Sequence, residues 1–204
     1  MALLPFRSSF PNATHHHEYD MFISFRGEDT RNGFTSHLHS TLRKNHIETF
    51  IDYRIKKGGA IWDKLVDAVR DSKLFLVIFS ENYASSKWCL RELVEIMECK
   101  KKKEQHVIVI SVFYRIEPTH VRNQTGTYHT AFARHEGSSE DRCHVQQWRT
   151  ALTQAANLSG LIPLRSSPVK IILFCLDFDF NFDRGVVLTR LVSQSWFAWQ
   201  ISLN

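Results

Sequence analysis

Two rhythms of apolar residues alternate along this chain. Runs that are apolar almost throughout occupy Tyr19 to Phe25, Ile47 to Ile51, Leu74 to Phe79 and Val107 to Phe113. They have the length and β-branched content expected of buried strands. Elsewhere apolar positions recur every three or four residues. Phe34, Leu38 and Leu42 form one such stripe, and Ile61, Leu65, Ala68 and Val69 a second. A third holds Cys89, Leu90, Leu93, Val94, Ile96 and Met97, and a later one Val145, Trp148, Leu152 and Ala155. Each is the core-facing arc of an amphipathic helix. Ala131-Phe132 marks a shorter helical pattern, and Leu158 to Ile162 is a candidate fifth strand.

The polar intervals punctuate these elements. Arg26 to Arg31 reads as a charged turn in which Asp29 or Thr30 caps the first helix, which ends near Asn45. Asp52 to Gly59 carries the Gly58-Gly59 pair and reads as a mobile loop. In the polar turn Ser80 to Lys87, Asn82, Ser85 and Ser86 are available to cap the helix that follows, and Lys100 to Lys103 suit its C-terminus. Glu117 to Gly126 reads as a turn-rich connection. Beyond Leu164 no clean period is visible. That tail either packs as an extra strand and helix or has no fold of its own, and the second reading is preferred.

Strands alternating with helices imply right-handed crossovers and a parallel sheet covered on both faces. The expected fold is α/β and flavodoxin-like, with strand order 2-1-3-4-5. Ligands of such sheets bind beyond the carboxyl ends of the strands, where strand order reverses. Here that crevice lies between strands one and three, walled by Arg26 to Thr30 and by Ser80 to Glu92. Glu92 therefore stands out. On a helical wheel it borders the apolar arc, on the side of Trp88 and Glu95, whereas Glu98 points away. Most helix glutamates are merely solvated. The helix that carries this one starts at the predicted switch point.

Composition narrows the classes. With 204 residues, 43% of them hydrophobic and 23% charged, the chain suits one globular domain with terminal extensions. The net charge of +5 owes much to the lysine run, so it gives only weak support for a nucleic-acid partner. The four cysteines, Cys89, Cys99, Cys143 and Cys175, show neither paired nor zinc-like spacing. Reduced thiols, no metal site and a cytoplasmic location, with the nucleus as a second compartment, are the expectation. Pro5 and Arg7 interrupt any signal-like leader, no stretch is long enough to span a membrane, and His15 to His17 belong to a polar leader.

The segments YDMFISFRGEDTR, FTSHL, FIDY, FSENYASSKWCLREL, VFYRIEPTHVRNQTG and WRTALTQAANLSG occur in this order between Tyr19 and Gly160. Together they resemble the boxes of a plant-type Toll/interleukin receptor (TIR) domain. The resemblance implies a TIR domain over 18–162, a disordered leader over 1–17 and a tail of unassigned structure over 163–204. It looks like a TIR-only form. It also implies self-association, with itself or with other TIR domains, and for many plant members the cleavage of NAD⁺ into nicotinamide and ADP-ribose-type signals. NAD⁺ would then be substrate, not cofactor. The family's catalytic glutamate falls on Glu92, within Trp88-Cys89-Leu90-Arg91-Glu92-Leu93. Phe25, Arg26, Gly27, Asp52, Ser86 and Trp88 fall on substrate-binding positions, and Ser36-His37 on a self-association surface. Three stretches depart from the family pattern. Gly59 and Ala60 replace acidic residues, Ser111 stands for proline, and Glu117-Pro118-Thr119 stands for Asp-Pro-Ser.

One carboxylate suffices for that chemistry. Nicotinamide leaves as a neutral molecule from a cationic glycosidic bond, so no acid need protonate it. A carboxylate beside the ribose stabilises the developing oxocarbenium charge. The main rival is a non-enzymatic adaptor that signals only by pairing with receptor TIR domains. A phospho-acceptor receiver is disfavoured, because no acidic cluster follows the first strand in the place that chemistry requires. A nuclease or cyclic-nucleotide synthetase activity also fits the family.

Overall fold

The computed structural model describes residues 19–51, 59–72, 74–103, 107–158 and 160–161. All lie in the first of the two units into which the chain divides, Met1–Val169 and Lys170–Asn204. The expectations for the leader, for Asp52 and most of its loop, and for the tail fall outside the described residues.

Among the described residues, five parallel strands form the sheet: β1 (Met21–Phe25), β2 (Thr49–Ile51), β3 (Leu74–Phe79), β4 (Ile108–Phe113) and β5 (Gly160–Leu161). Their order is β2-β1-β3-β4-β5, the order the alternating pattern predicts. Every residue of β1 is buried, as a strand covered on both faces requires. The side-chain period of two divides its residues between those faces. Phe22 pairs in register with Phe75 and then Val109, and these three join one core with Leu65, Leu90, Leu93, Trp148 and Leu152 from the helices. Ser24, Val77 and Ser111 form the next row on the same face. The alternate residues Met21, Ile23, Leu76 and Ile110 are buried toward the other side.

The stripes become α2 (Ser36–Lys44), α3 (Gly59–Asp71), α4 (Lys87–Lys103), α6 (Thr127–Gly137) and α7 (Val145–Asn157). Two polar intervals turn out helical. The stretch after β1 is helix α1 (Gly27–Thr30), followed by a π-helical turn, Arg31–Thr35, that runs straight into α2. Asp29 and Thr30 therefore do not cap the first helix. The Asp29 carboxylate is bound elsewhere, as described below, and the Thr30 hydroxyl caps nothing. In the Glu117 to Gly126 connection, Pro118 takes the first position of a short helix, α5 (Pro118–Asn123), where its missing N–H is harmless. Val121 anchors that helix by full burial, and Gln124 ends it in the left-handed conformation at φ 48°.

Candidate functional site

The chain leaves β1 on one side, makes β2, and crosses to β3 on the other, so the carboxyl ends of β1 and β3 diverge as predicted. The turn that follows β3 is built largely by α6. Tyr128 donates its hydroxyl proton to the Ser80 carbonyl at 3.0 Å, and His135 Nε2 bonds the Ala84 carbonyl at 2.9 Å. Ser86 then caps α4, its hydroxyl accepting the Cys89 N–H at 3.3 Å. That fixes where α4 begins, and so where its residues point.

Glu92 is only 4% exposed. Its Oε2 accepts a hydrogen bond from the Ser24 hydroxyl at 2.8 Å. Ser24 in turn lies 3.0 Å from the Tyr83 hydroxyl, which also donates to the Cys89 carbonyl at 3.1 Å. The Cys89 thiol points to the Phe25 carbonyl at 3.5 Å. Burial, and then the negative charge of Glu92, push the Cys89 thiol far above its ordinary value. Burial likewise raises Tyr83, with Cys89 and Glu92 adding to it. Both groups stay protonated and neutral around the carboxylate.

Arg26 and Asp29 close the β1 side of the crevice. The Arg26 guanidinium pairs with both Glu28 and Asp29. Asp29 Oδ2 accepts from the Ser80 hydroxyl at 2.6 Å and from the Asn82 N–H at 3.1 Å, tying α1 to the turn after β3. Burial pushes the Asp29 carboxyl up, but Ser80, Arg26 and Asn82 together outweigh it and hold it below the usual carboxylate range. Of these two carboxylates Glu28 is the exposed one, its side chain 79% accessible.

Trp88 sits four residues before Glu92, about one turn nearer the helix start. It is half-buried and meets Trp62 of α3 edge-on, with ring centres 5.3 Å apart and planes at 87°. The Arg91 guanidinium lies 4.1 Å over the Trp62 ring. The Trp88 Nε1 is buried with no hydrogen-bond partner, a donor left unmatched at the site.

The remaining sequence-predicted positions fare differently. Phe25 is buried and offers its carbonyl to Cys89, and Ser86 serves as the α4 cap. Gly27 opens α1, where a Cβ would meet the Arg31 guanidinium at 2.5 Å, a contact a long side chain relieves by moving. Asp52 lies outside the described residues. Ser36, whose hydroxyl donates to the Gly33 carbonyl at 3.0 Å, and the exposed His37 belong to α2 and share none of the bonds around Glu92. Ser24, Tyr83 and Cys89 were missed as partners of Glu92. The signal for Ser24 was there to use, because it is the one hydroxyl in the apolar run MFISF. Among the described residues, no group of three or more His, Cys, Asp or Glu is arranged to hold a metal ion, and no helix is long and apolar enough to cross a membrane.

Comparison with known proteins places this geometry among relatives. The sequence profile of the TIR domain family matches residues 18–171. Disease resistance protein RPV1 of Vitis rotundifolia is 49% identical over 153 residues, which are 75% of this chain and 11% of that protein. TMV resistance protein N of Nicotiana glutinosa is 50% identical over 144 residues, 70% of this chain and 12% of the relative. The chain thus spans only about a ninth to an eighth of the length of these relatives. Among solved structures, the TIR domains of the activated Roq1 resistosome, described as directly recognizing the pathogen effector XopQ, are 43% identical with a TM-score of 0.69. That match covers 78% of this chain and 98% of the other.

Proposed function

Because the chain belongs to the TIR domain family and is related to the TIR domains of plant immune receptors, we propose that it is an NAD⁺ nucleosidase of plant immune signalling. It cleaves NAD⁺ to nicotinamide and ADP-ribose-type products after self-association. The observation that carries this reading is Glu92: a carboxylate 4% exposed, at the carboxyl end of the sheet, held by a hydroxyl, with Trp88 one turn away. In this reading the bond between ribose C1′ and the nicotinamide nitrogen breaks with its electron pair going to nicotinamide. The Glu92 carboxylate stabilises the cation left on the ribose. Water adds at C1′ and gives up a proton, so NAD⁺ and water become nicotinamide, ADP-ribose and H⁺. Trp88 packs against a planar ring of the substrate. Arg26, released from Glu28, meets phosphate or ribose oxygens.

Relatives that carry resistance names, and a relative solved within a resistosome, support placing the activity in immunity and making it depend on assembly. Ser36 and His37 are the proposed contact surface. The non-enzymatic adaptor keeps one observation on its side. Arg26 is already paired with two carboxylates, an arrangement that serves the fold without any substrate. Nicotinamide release by purified protein at several concentrations separates the two. The nucleosidase reading expects release, with a rate per subunit that climbs with concentration in the wild type and not in the Ser36→Ala/His37→Ala double variant. Absence of release at every concentration leaves the adaptor.

A further inference from the structure

We propose that Ser24, backed by Tyr83, is a positioning residue for Glu92, an inference that rests on reading Glu92 as the carboxylate facing the ribosyl cation. Ser24 is fully buried in the penultimate position of β1, in a strand otherwise made of Met, Phe, Ile and Phe. A hydroxyl so placed must be bonded, or its burial is costly. Its partner is a side chain 68 residues away, not the nearby main chain.

A second serine in the same row of the sheet shows the contrast. Ser24, Val77 and Ser111 are in register across β1, β3 and β4, so Ser24 and Ser111 face the same side. Both are fully buried. The Ser111 hydroxyl donates to a main-chain carbonyl, Ala155 of α7, at 2.8 Å. That bond ties a helix to the sheet and needs no other purpose. The Ser24 bond at 2.8 Å goes instead to the carboxylate of α4 that begins at the crevice.

The protons can be assigned. An ionised carboxylate only accepts, so Ser24 spends its one proton on Glu92 Oε2. At the 3.0 Å contact with Tyr83, Ser24 must then be the acceptor and Tyr83 the donor. The Tyr83 proton is shared between Ser24 and the Cys89 carbonyl at 3.1 Å. Tyr83 thus turns the Ser24 hydroxyl toward Glu92, and Ser24 fixes the plane of the carboxylate. A carboxylate already fixed need not reorient as charge develops beside it, which is where such a contact contributes to rate.

The test measures kcat and KM for nicotinamide release, with melting curves, in Ser24→Ala, Tyr83→Phe, Ser111→Ala and Glu92→Ala. Removing one hydrogen bond to a charged group should lower kcat about tenfold in Ser24→Ala. KM should change little, because the lost effect is felt as the bond breaks. Tyr83→Phe should lower kcat by a smaller factor, again with KM held. Ser111→Ala makes the same chemical change in the same row and should keep wild-type kcat. Ser24→Ala with wild-type kcat, or with a loss no greater than that of Ser111→Ala, overturns the inference while an inactive Glu92→Ala leaves the reading of Glu92 standing. A fully active Glu92→Ala overturns both. If Ser24→Ala does not fold, Tyr83→Phe decides, and wild-type kcat there overturns the relay.

Discussion

Two carboxylates are buried among the described residues, Glu92 at 4% and Asp141 at 6% exposure, and the partners seen on them differ. Asp141 meets an ammonium group. Lys87 Nζ lies 2.7 Å from its Oδ2, and His135 Nδ1 lies 3.6 Å from the same oxygen. Burial pushes the Asp141 carboxyl up, but Lys87, Ser138 and His135 more than offset it and hold it below the usual range. The result is a knot. Asp141 joins the first residue of α4 to α6, where His135 also bonds the Ala84 carbonyl and packs 5.1 Å from the Trp148 ring. Glu92 accepts a hydrogen bond from the Ser24 hydroxyl at 2.8 Å, a bond that orients the carboxylate. Around it, Cys89 and Tyr83 are raised in part by its charge. On the proposed reading of Glu92, the contrast separates a carboxylate placed for the fold from one placed for chemistry.

The largest effect expected from breaking this contrast is on turnover. Glu92→Ala should lower nicotinamide release by on the order of 10²-fold or more, the scale of losing a preorganised electrostatic contact. Its melting curve should stay close to that of the wild type. Replacing Asp141 by Ala should do the reverse. It leaves His135 without its carboxylate and frees the start of α4, at a cost of about 2 kcal/mol. In a domain of this size that is a drop of roughly 4–8 °C in Tm, while most of kcat survives below the transition.

Acid sharpens the same comparison. Asp141 and Asp29 are both held below the ordinary carboxylate value in the folded state. Their contribution to stability is therefore fully present above about pH 4, the unfolded value, and is lost as pH falls through the lower folded values. Asp141→Asn should be less stable than wild type at neutral pH and should lose less on acidification. Parallel acid-denaturation curves for the two proteins would contradict this. The smallest effect belongs to Glu98, which is paired on the surface with Lys102 at 3.6 Å. Glu98→Ala should change stability by less than about 0.5 kcal/mol and leave turnover unchanged.

What the sequence could reveal follows the range over which each signal acts. Strand order, the helical stripes and the Ser86 cap come from local periodicity and local hydrogen bonding, so they were legible. Glu92 was legible as a residue bordering a core, because helix periodicity plus the reversal of strand order put it there. Its depth was not, since the hydroxyl that accommodates its burial lies 68 residues away and depends on the register of β1. Asp29 failed as a cap for the same reason. Its competing partners, Ser80 and Asn82, are 51 and 53 residues distant. The Asp141 knot left no local trace at all, because Lys87, His135 and Asp141 sit on different elements. The Arg26 pairs lie at the other extreme, because Glu28 and Asp29 follow it closely enough in sequence to read as partners.

The most direct test compares Glu92→Gln with Asp141→Asn, two changes that remove a charge at nearly constant size. Nicotinamide release and Tm are measured on both, at concentrations where the wild type is active. The account predicts that Glu92→Gln keeps its Tm and loses nearly all release, while Asp141→Asn melts several degrees lower and keeps most of its release. A Glu92→Gln protein that releases nicotinamide at the wild-type rate would contradict it. So would one that melts as low as Asp141→Asn.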